Sequence, residues 1–236
     1  MRKIWPLSLL ISVLLLIPSA FQSGKLFDGA LKKQLTLYLQ DISRWAVDVK
    51  LSALPVAKVG AKGMERLAAQ AGLGRILIAT GEMTKDGSKY IEEALMWGDA
   101  LVGQQRRTQT LQGGEAGYWA DASGNIELTE NCMAAAALGR AFAAAEGSRK
   151  KEYVQAMERL ARFLLEGGSA EAATKRPAVA GWGVTSGEQK GAWGSGIIDG
   201  AASLLPSTRS TAAAAFFFAE LYGVTRNKQY REIAMN

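Results

Sequence analysis

The sequence predicts an all-α protein built from repeated helical hairpins. Three stretches, residues 73–101, 138–164 and 216–236, can be laid over one another. Each contains an Ala- or Leu-rich segment, a glycine, a short polar link and a second segment that opens at a tyrosine. The connections between these stretches are much longer and are rich in Gly, Ser and Trp, as loops with a functional role often are.

Each hairpin is expected to turn at a glycine. Gly81, Gly147 and Gly223 follow the last apolar residue of the first segments, and glycine readily adopts the left-handed conformation that ends a helix. The second helices are expected to begin at Tyr90, Tyr153 and Tyr230. Apolar residues recur at helical spacing after the first two of these tyrosines, so we interpret the tyrosines as packing residues on a buried stripe.

The first helix of each hairpin has unusually small side chains, as in residues 134–137, 143–145 and 212–215. A small-sided helix can be surrounded by neighbours, whereas a helix with one charged face lies at the surface. The first helices are therefore predicted to be inner and the second ones outer. A further helix is predicted over residues 27–51, before Pro55.

The N-terminus has the layout of a secretory signal. Positive charge in residues 1–3 is followed by an apolar run over residues 4–17 and by Pro18, Ser19 and Ala20. We expect residues 1–20 to be a signal peptide and the protein to be secreted or extracytoplasmic, with residues 27–236 forming the hairpin domain. The alternative is a membrane anchor over residues 4–17, although this run is short for a bilayer.

Composition restricts the chemistry. The chain contains no histidine, which excludes His-based triads and the common zinc sites. Its net charge of +6 is dispersed, so nucleic acid is not expected as a partner. The single cysteine, Cys132, rules out an internal disulfide and is interpreted as a small buried hydrophobe. No cofactor or metal is expected, and the oligomeric state is left open.

The first long connector, residues 107–129, holds a candidate site. Glu115 and Asp121 are predicted as a general acid and base, and Tyr118 and Trp119 as rings that stack on a sugar. The alternative for the two rings is a hydrophobic plug, and for Asp121 a local turn with Ser123 and Gly124. Glu127 and Glu130 are expected mainly to favour the start of a helix capped by Thr129.

The second long connector, residues 167–207, holds a second cluster. Asp199 is predicted to be catalytic, with Glu188 as a further carboxylate, and Trp182 and Trp193 are predicted to bind substrate. Arg209, just beyond the connector, is predicted to hold a sugar carboxylate or phosphate, or alternatively to tie loops together. The seven glycines within residues 181–200 match no phosphate-binding loop.

This pattern of small inner helices, Tyr-led outer helices and Gly/Trp-rich loops resembles the α/α-toroid proteins. That group includes six-hairpin glycosidases, polysaccharide lyases, sugar epimerases and terpenoid cyclases. The resemblance covers residues 67–236 and implies a partial α/α toroid, because a complete ring has about twelve helices and this chain offers about seven. Residues 109–119 and 189–193 are also similar to the Gln/Trp motifs of squalene-type cyclases, but the Asp-rich acid motif of those enzymes is absent.

The resemblance implies a carbohydrate-active protein, either glycoside hydrolase-like or polysaccharide lyase- or epimerase-like, with a carbohydrate ligand in the inter-hairpin loops. Two other hypotheses stay open. One is a non-catalytic sugar- or protein-binding helical repeat, or a truncated toroid relative without activity. The other is an isoprenoid-cyclase-like scaffold. The carbohydrate-active and the non-catalytic hypotheses differ in geometry, because catalysis requires the carboxylates to converge on one pocket with exposed tryptophan rings.

Overall fold

The computed structural model describes residues 29–54, 66–171 and 177–235. The predicted signal segment lies outside these ranges. The described chain is mostly helical, which confirms the all-α prediction in its coarse form; closure into a toroid stays a prediction. The α-helices are α1 (Gly29–Asp48), α2 (Leu67–Met83), α3 (Ser88–Gln104), α4 (Leu128–Ala144), α5 (Gly147–Glu166), α6 (Thr208–Thr225) and α7 (Lys228–Met235), and a 3-10 helix spans Leu51–Ala53.

Helices adjacent in sequence pack together: α2 contacts α3, α4 contacts α5, and α6 contacts α7. The first members of these pairs also contact one another, because α4 packs against α2 on one side and α6 on the other. Alanine side chains on several faces of α4, among them Ala134 to Ala137, are fully buried or nearly so. Small side chains thus let α4 accept neighbours on most of its circumference.

The three tyrosines do pack inward, but the prediction that they begin the second helices is wrong, because α3 begins at Ser88, α5 at Gly147 and α7 at Lys228. Tyr153 is fully buried. Its hydroxyl donates to Leu95 O at 2.8 Å and also lies 2.8 Å from Asp99 Oδ1. Burial, together with the Asp99 carboxylate, raises the pKa of Tyr153, so the phenol stays neutral. Tyr90 is also buried, while Tyr230 is half-buried with its ring 6.0 Å from that of Phe218.

The glycines do not end helices as predicted. Gly81 and Gly223 lie inside α2 and α6, and Gly147 is the first residue of α5. Helix α6 instead ends at Thr225, and the residue that caps it is Arg226, a non-glycine residue in the left-handed conformation (φ 59°). Gly81 serves close packing, since a Cβ atom there would lie 2.4 Å from Ile91 Cγ1. A Cβ atom on Gly87 would lie 1.9 Å from Gly81 O, so the two backbones touch.

The long connectors contain short strands that the sequence did not predict: β1 (Arg106–Gln109), β2 (Glu115–Tyr118), β3 (Ile126–Glu127), β4 (Gly196–Ile198) and β5 (Ala201–Ser203). Strands β1 and β2 form an antiparallel hairpin. Strand β3, from the first connector, pairs with β4 from the second, and β4 pairs with β5. The two connectors therefore meet at one end of the helices, where α4 and α6 begin.

Among the described helices, none is both long enough and apolar enough to cross a membrane.

Candidate functional site

The aromatic pair of the first connector lies in the core. Tyr118 and Trp119 are each 1% exposed. The indole Nε1 of Trp119 donates to Leu101 O (2.7 Å), and its backbone N–H donates to Asn131 Oδ1 (2.7 Å). The ring of Tyr118 packs 4.9 Å from that of Phe163. These contacts are those of the hydrophobic plug, the alternative that the sequence also allowed.

Asp121 makes a local turn, its other sequence-based interpretation. Its Oδ1 accepts from the backbone N–H groups of Ser123 (2.8 Å) and Asn125 (2.9 Å), and its carbonyl accepts from Gly124 N. Oδ2 accepts from Asn125 Nδ2 (3.1 Å), and the residue is 5% exposed. Both oxygens of this carboxylate accept hydrogen bonds from the loop's own residues, so the side chain stabilises the conformation of the loop.

Asp199 occupies the turn of the β4–β5 hairpin. Asp199 (φ 51°) and Gly200 (φ 77°) both have positive φ, as the two-residue hairpin turn of type I′ requires. The backbone N–H of Asp199 donates to Asn125 Oδ1 at 2.7 Å. The structure thus brings Asp121 and Asp199 together around the side chain of Asn125.

Glu115 does not join that pair. It begins β2, whereas Asp121 follows the other end of this strand, and its carboxylate forms a solvent-exposed ion pair with Arg107 (3.2 Å). Glu188 is exposed in the second connector. The predicted carboxylates are therefore distributed along the connectors.

The tryptophans of the second connector are buried as well. Trp182 is 1% exposed, and its ring centroid lies 5.8 Å from that of Phe163. Its Nε1 has no hydrogen-bond partner among the described residues. Trp193 is 7% exposed and packs 5.5 Å from Phe218 on α6. Both rings therefore pack the second connector against helices, Trp182 against α5 and Trp193 against α6.

Beside the connectors, four charged side chains meet where α2, α4 and α6 begin. We call Arg66, Glu127, Glu130 and Arg209 the charged cluster. Glu130, which is buried, accepts from Arg66 Nε (3.0 Å) and from Arg209 Nη2 (3.4 Å). Its Oε2 also accepts from the backbone N–H of Ala68 in the first turn of α2. Glu130 thus connects the starts of three helices.

Glu127 is held more loosely in the same cluster. Its Oε1 lies 3.7 Å from a terminal nitrogen of Arg66 and 3.7 Å from one of Arg209, beyond hydrogen-bond distance. Burial, with the neighbouring Glu130 charge, raises the pKa of Glu127, while Arg209 and Arg66 oppose that rise. The predicted capping by Thr129 is wrong, because α4 begins at Leu128 with Glu127 in the N-cap position.

From the cluster, partly exposed stripes run along α2, α4 and α6, the helices predicted to be inner, on the side where their charged residues pair with one another. We call this surface the inner-helix face. Its members are not buried: Ala68, Arg75, Ala79 and Glu82 on α2, Met133 and Arg140 on α4, and Arg209, Ala212, Phe216 and Glu220 on α6.

Cross-helix contacts define the shape of this face. Arg75 Nη1 donates to Glu220 Oε1 on α6 (2.9 Å) and to Ala136 O on α4 (3.2 Å). Its guanidinium also lies 5.0 Å from the ring centroid of Phe216. Because α4 lies between α2 and α6, α4 forms the floor of the face and the other two helices form its walls. Arg140 on α4 pairs with Glu82 on α2 farther along.

Sequence reasoning did not single out Arg66, Arg75 or Phe216. The helical spacing of Arg209, Ala212, Phe216 and Glu220 places them on one side of α6, which was a readable signal. Which partner helix they face depends on tertiary packing. In the described part of the chain, no group of three or more Cys, Asp or Glu side chains is arranged to hold a metal ion.

Comparison with protein-family models, with curated proteins and with solved structures finds no match to this chain.

Proposed function

We propose that this protein is an exported, non-catalytic carbohydrate-binding protein of the helical-hairpin type, and that the inner-helix face holds the sugar. The observation that carries this proposal is the meeting of three partly exposed helical stripes whose charged side chains pair across the helices, as Arg75 does with Glu220 and Arg140 with Glu82. Arrays of stacked helical hairpins commonly bind ligands on such an inner surface.

The chemistry of the face suits a sugar. Guanidinium and carboxylate groups such as those of Arg75 and Glu220 are planar and can each bind two neighbouring hydroxyls. Phe216 offers an apolar ring of the kind that stacks on the apolar side of a pyranose. The finer fold that accompanies this proposal is a partial α/α toroid, with α2, α4 and α6 as its inner wall.

The placement of the predicted catalytic residues favours binding over turnover. Asp121 and Asp199 each belong to a turn, and Glu115 lies apart from them in an exposed ion pair. The rings of Trp182 and Trp193, which would have to stack on substrate, are buried against helices. General acid–base cleavage of a glycosidic bond needs two carboxyl groups on opposite sides of that bond.

A glycoside hydrolase-like activity is the second candidate, and Glu127 is the observation that favours it. A carboxyl group with a raised pKa beside a second carboxylate is the arrangement that a general acid requires. In this alternative Glu127 would donate a proton and the Glu127→Gln variant would lose turnover.

The test is a panel of polysaccharides and oligosaccharides screened for binding and for release of reducing ends. We expect binding to at least one glycan class without release of reducing ends. Ala212→Trp, which fills the face from an exposed position on α6, should weaken binding about tenfold or more. Leu111→Trp, exposed in the β1–β2 loop, is the matched control and should bind as the wild type does.

Two results would overturn the proposal. One is the absence of binding to every glycan of the panel. The other is turnover; its loss in Glu127→Gln would establish the second candidate instead.

A further inference from the structure

We propose that the ligand of the inner-helix face is an acidic sugar, whose carboxylate or sulfate group binds between Arg66 and Arg209 in the place that the Glu127 side chain takes in the ligand-free protein. This inference rests on the proposed function and specifies the class of its ligand. The observation behind this inference is the geometry of the charged cluster, at the end of the inner-helix face where α2, α4 and α6 begin.

The two carboxylates of the cluster have different roles. Glu130 is 10% exposed at its side chain and makes hydrogen bonds to both arginines and to the backbone of α2. Removing it would leave the backbone N–H of Ala68 in the first turn of α2 without this acceptor. Glu127 makes only long contacts of 3.7 Å with the two guanidinium groups. It can therefore be displaced while the tie between helices remains.

The two arginines remain accessible from solvent. The side chain of Arg209 is 56% exposed and that of Arg66 is 33% exposed. Each guanidinium carries five N–H donors in a planar fork that matches a carboxylate or a sulfate. Two such forks on opposite walls, at the start of α2 and the start of α6, can hold one anionic group between them.

The charges of the cluster indicate how ligand and Glu127 compete. Two arginines and two ionised glutamates sum to zero, so an arriving anion adds a net negative charge unless Glu127 moves away or takes up a proton. The groups that face Glu127 are Glu130 in the first turn of α4, Arg66 before α2 and Arg209 on α6. Neutralising Glu127 leaves the cluster with one net positive charge, which favours an anion.

This competition predicts effects of opposite sign at neighbouring residues. Glu127→Gln keeps the size of the side chain and removes its charge, so affinity for an acidic sugar should rise about three- to tenfold. Arg209→Ala removes one of the two forks from a half-exposed position and should lower that affinity about tenfold or more. Arg44→Ala, an equally exposed arginine on α1, is the matched control.

The experiment compares two forms of one ligand, oligogalacturonate as the free acid and as its methyl ester, at fixed ionic strength by calorimetry. We expect the free acid to bind about tenfold more tightly than the ester. This preference should increase in Glu127→Gln, disappear in Arg209→Ala and be unchanged in Arg44→Ala. Sulfated oligosaccharide and inorganic sulfate are added as separate arms.

The outcomes separate this inference from the proposed function. Equal affinity for acid and ester overturns the acidic-sugar inference while leaving the carbohydrate-binding proposal in place. Binding of inorganic sulfate as tightly as of the acidic sugars identifies a free anion as the ligand and also overturns the inference. A loss of affinity in Glu127→Gln would contradict the competition between Glu127 and the ligand. Failure of the whole glycan panel overturns both proposals.

Discussion

Arg75 on α2 donates a hydrogen bond to Glu220 on α6 at 2.9 Å, reaching past α4, whose Ala136 carbonyl it also contacts. This single side chain therefore links three helices that are far apart in sequence. It also fixes the separation of the two walls of the inner-helix face. The packing of the described helices and the proposed ligand site thus depend on the same residue.

Replacing Arg75 by alanine should destabilise the protein. The Arg75 side chain is only 12% exposed, and its loss leaves the 26%-exposed carboxylate of Glu220 without its cation. We expect a decrease of about 1–3 kcal/mol in the free energy of unfolding, measured by urea denaturation. Arg44→Ala, in an exposed pair with Asp41, should change it by no more than about 0.5 kcal/mol. Equal effects of the two substitutions would contradict the role of Arg75.

Asn131→Ala should also be strongly destabilising, because Asn131 holds the plug of the first connector. Its Oδ1 accepts from Trp119 N (2.7 Å), and its Nδ2 donates to Trp119 O (2.9 Å) and to Glu127 O (3.0 Å). Leaving buried backbone groups without partners costs about 1–3 kcal/mol each. We expect a loss of about 2–4 kcal/mol by urea denaturation. The exposed substitution Gln112→Ala should be nearly neutral, and a neutral Asn131→Ala would refute the plug.

Two glycine substitutions should have effects of opposite sign. Gly87→Ala places a methyl group 1.9 Å from Gly81 O and should cost about 1–3 kcal/mol or more, since backbone would have to move. Gly223→Ala lies inside α6 with no described atom within 4 Å of the new Cβ, and should stabilise by about 0.5–1 kcal/mol. Thermal unfolding of the two variants measures both. Destabilisation by Gly223→Ala would mean that α6 ends at this glycine.

The pH dependence of stability tests the electrostatics of the charged cluster. The folded state raises the pKa of Glu127, so its contribution to stability is fully present below the ordinary value of 4.5 and is lost as pH rises through the folded-state pKa. Glu127→Gln should therefore raise the unfolding midpoint at pH 7 and lose that advantage below about pH 4. Glu188→Gln, exposed in the second connector, is the control. A Glu127→Gln variant that is less stable than wild type at pH 7 would contradict this sign.

The helical content was readable from the sequence because it depends on local periodicity. The spacing of apolar residues after Tyr90 and Tyr153 predicted helices that the structure contains as α3 and α5. The glycine turns were misjudged because Gly81 is required by the close approach of Ile91, a contact invisible to local pattern. The Asp199–Gly200 dipeptide was a hairpin signal in the second connector, although Asp199 was interpreted as a catalytic residue.

The candidate site was harder to predict than the helices. A ring such as Trp119 has the same appearance in sequence whether it stacks on a ligand or fills the core, and only its burial distinguishes the two. The charged cluster joins Glu127 and Glu130, which are three residues apart, to Arg66 and Arg209, which only the packing of α2, α4 and α6 brings to them. Residues this distant in sequence carry no common local signal.

The most direct test of the central claim, that the inner-helix face and not the connectors holds the ligand, is an NMR titration with saturating glycan. The side-chain Nε–H signals of Arg66, Arg75 and Arg209 are followed beside the indole N–H signals of the buried tryptophans. We expect the arginine signals to shift, while the indole signals of Trp119, Trp182 and Trp193 stay in place. Shifts of the indole signals with unchanged arginine signals would contradict the claim and return the site to the connectors.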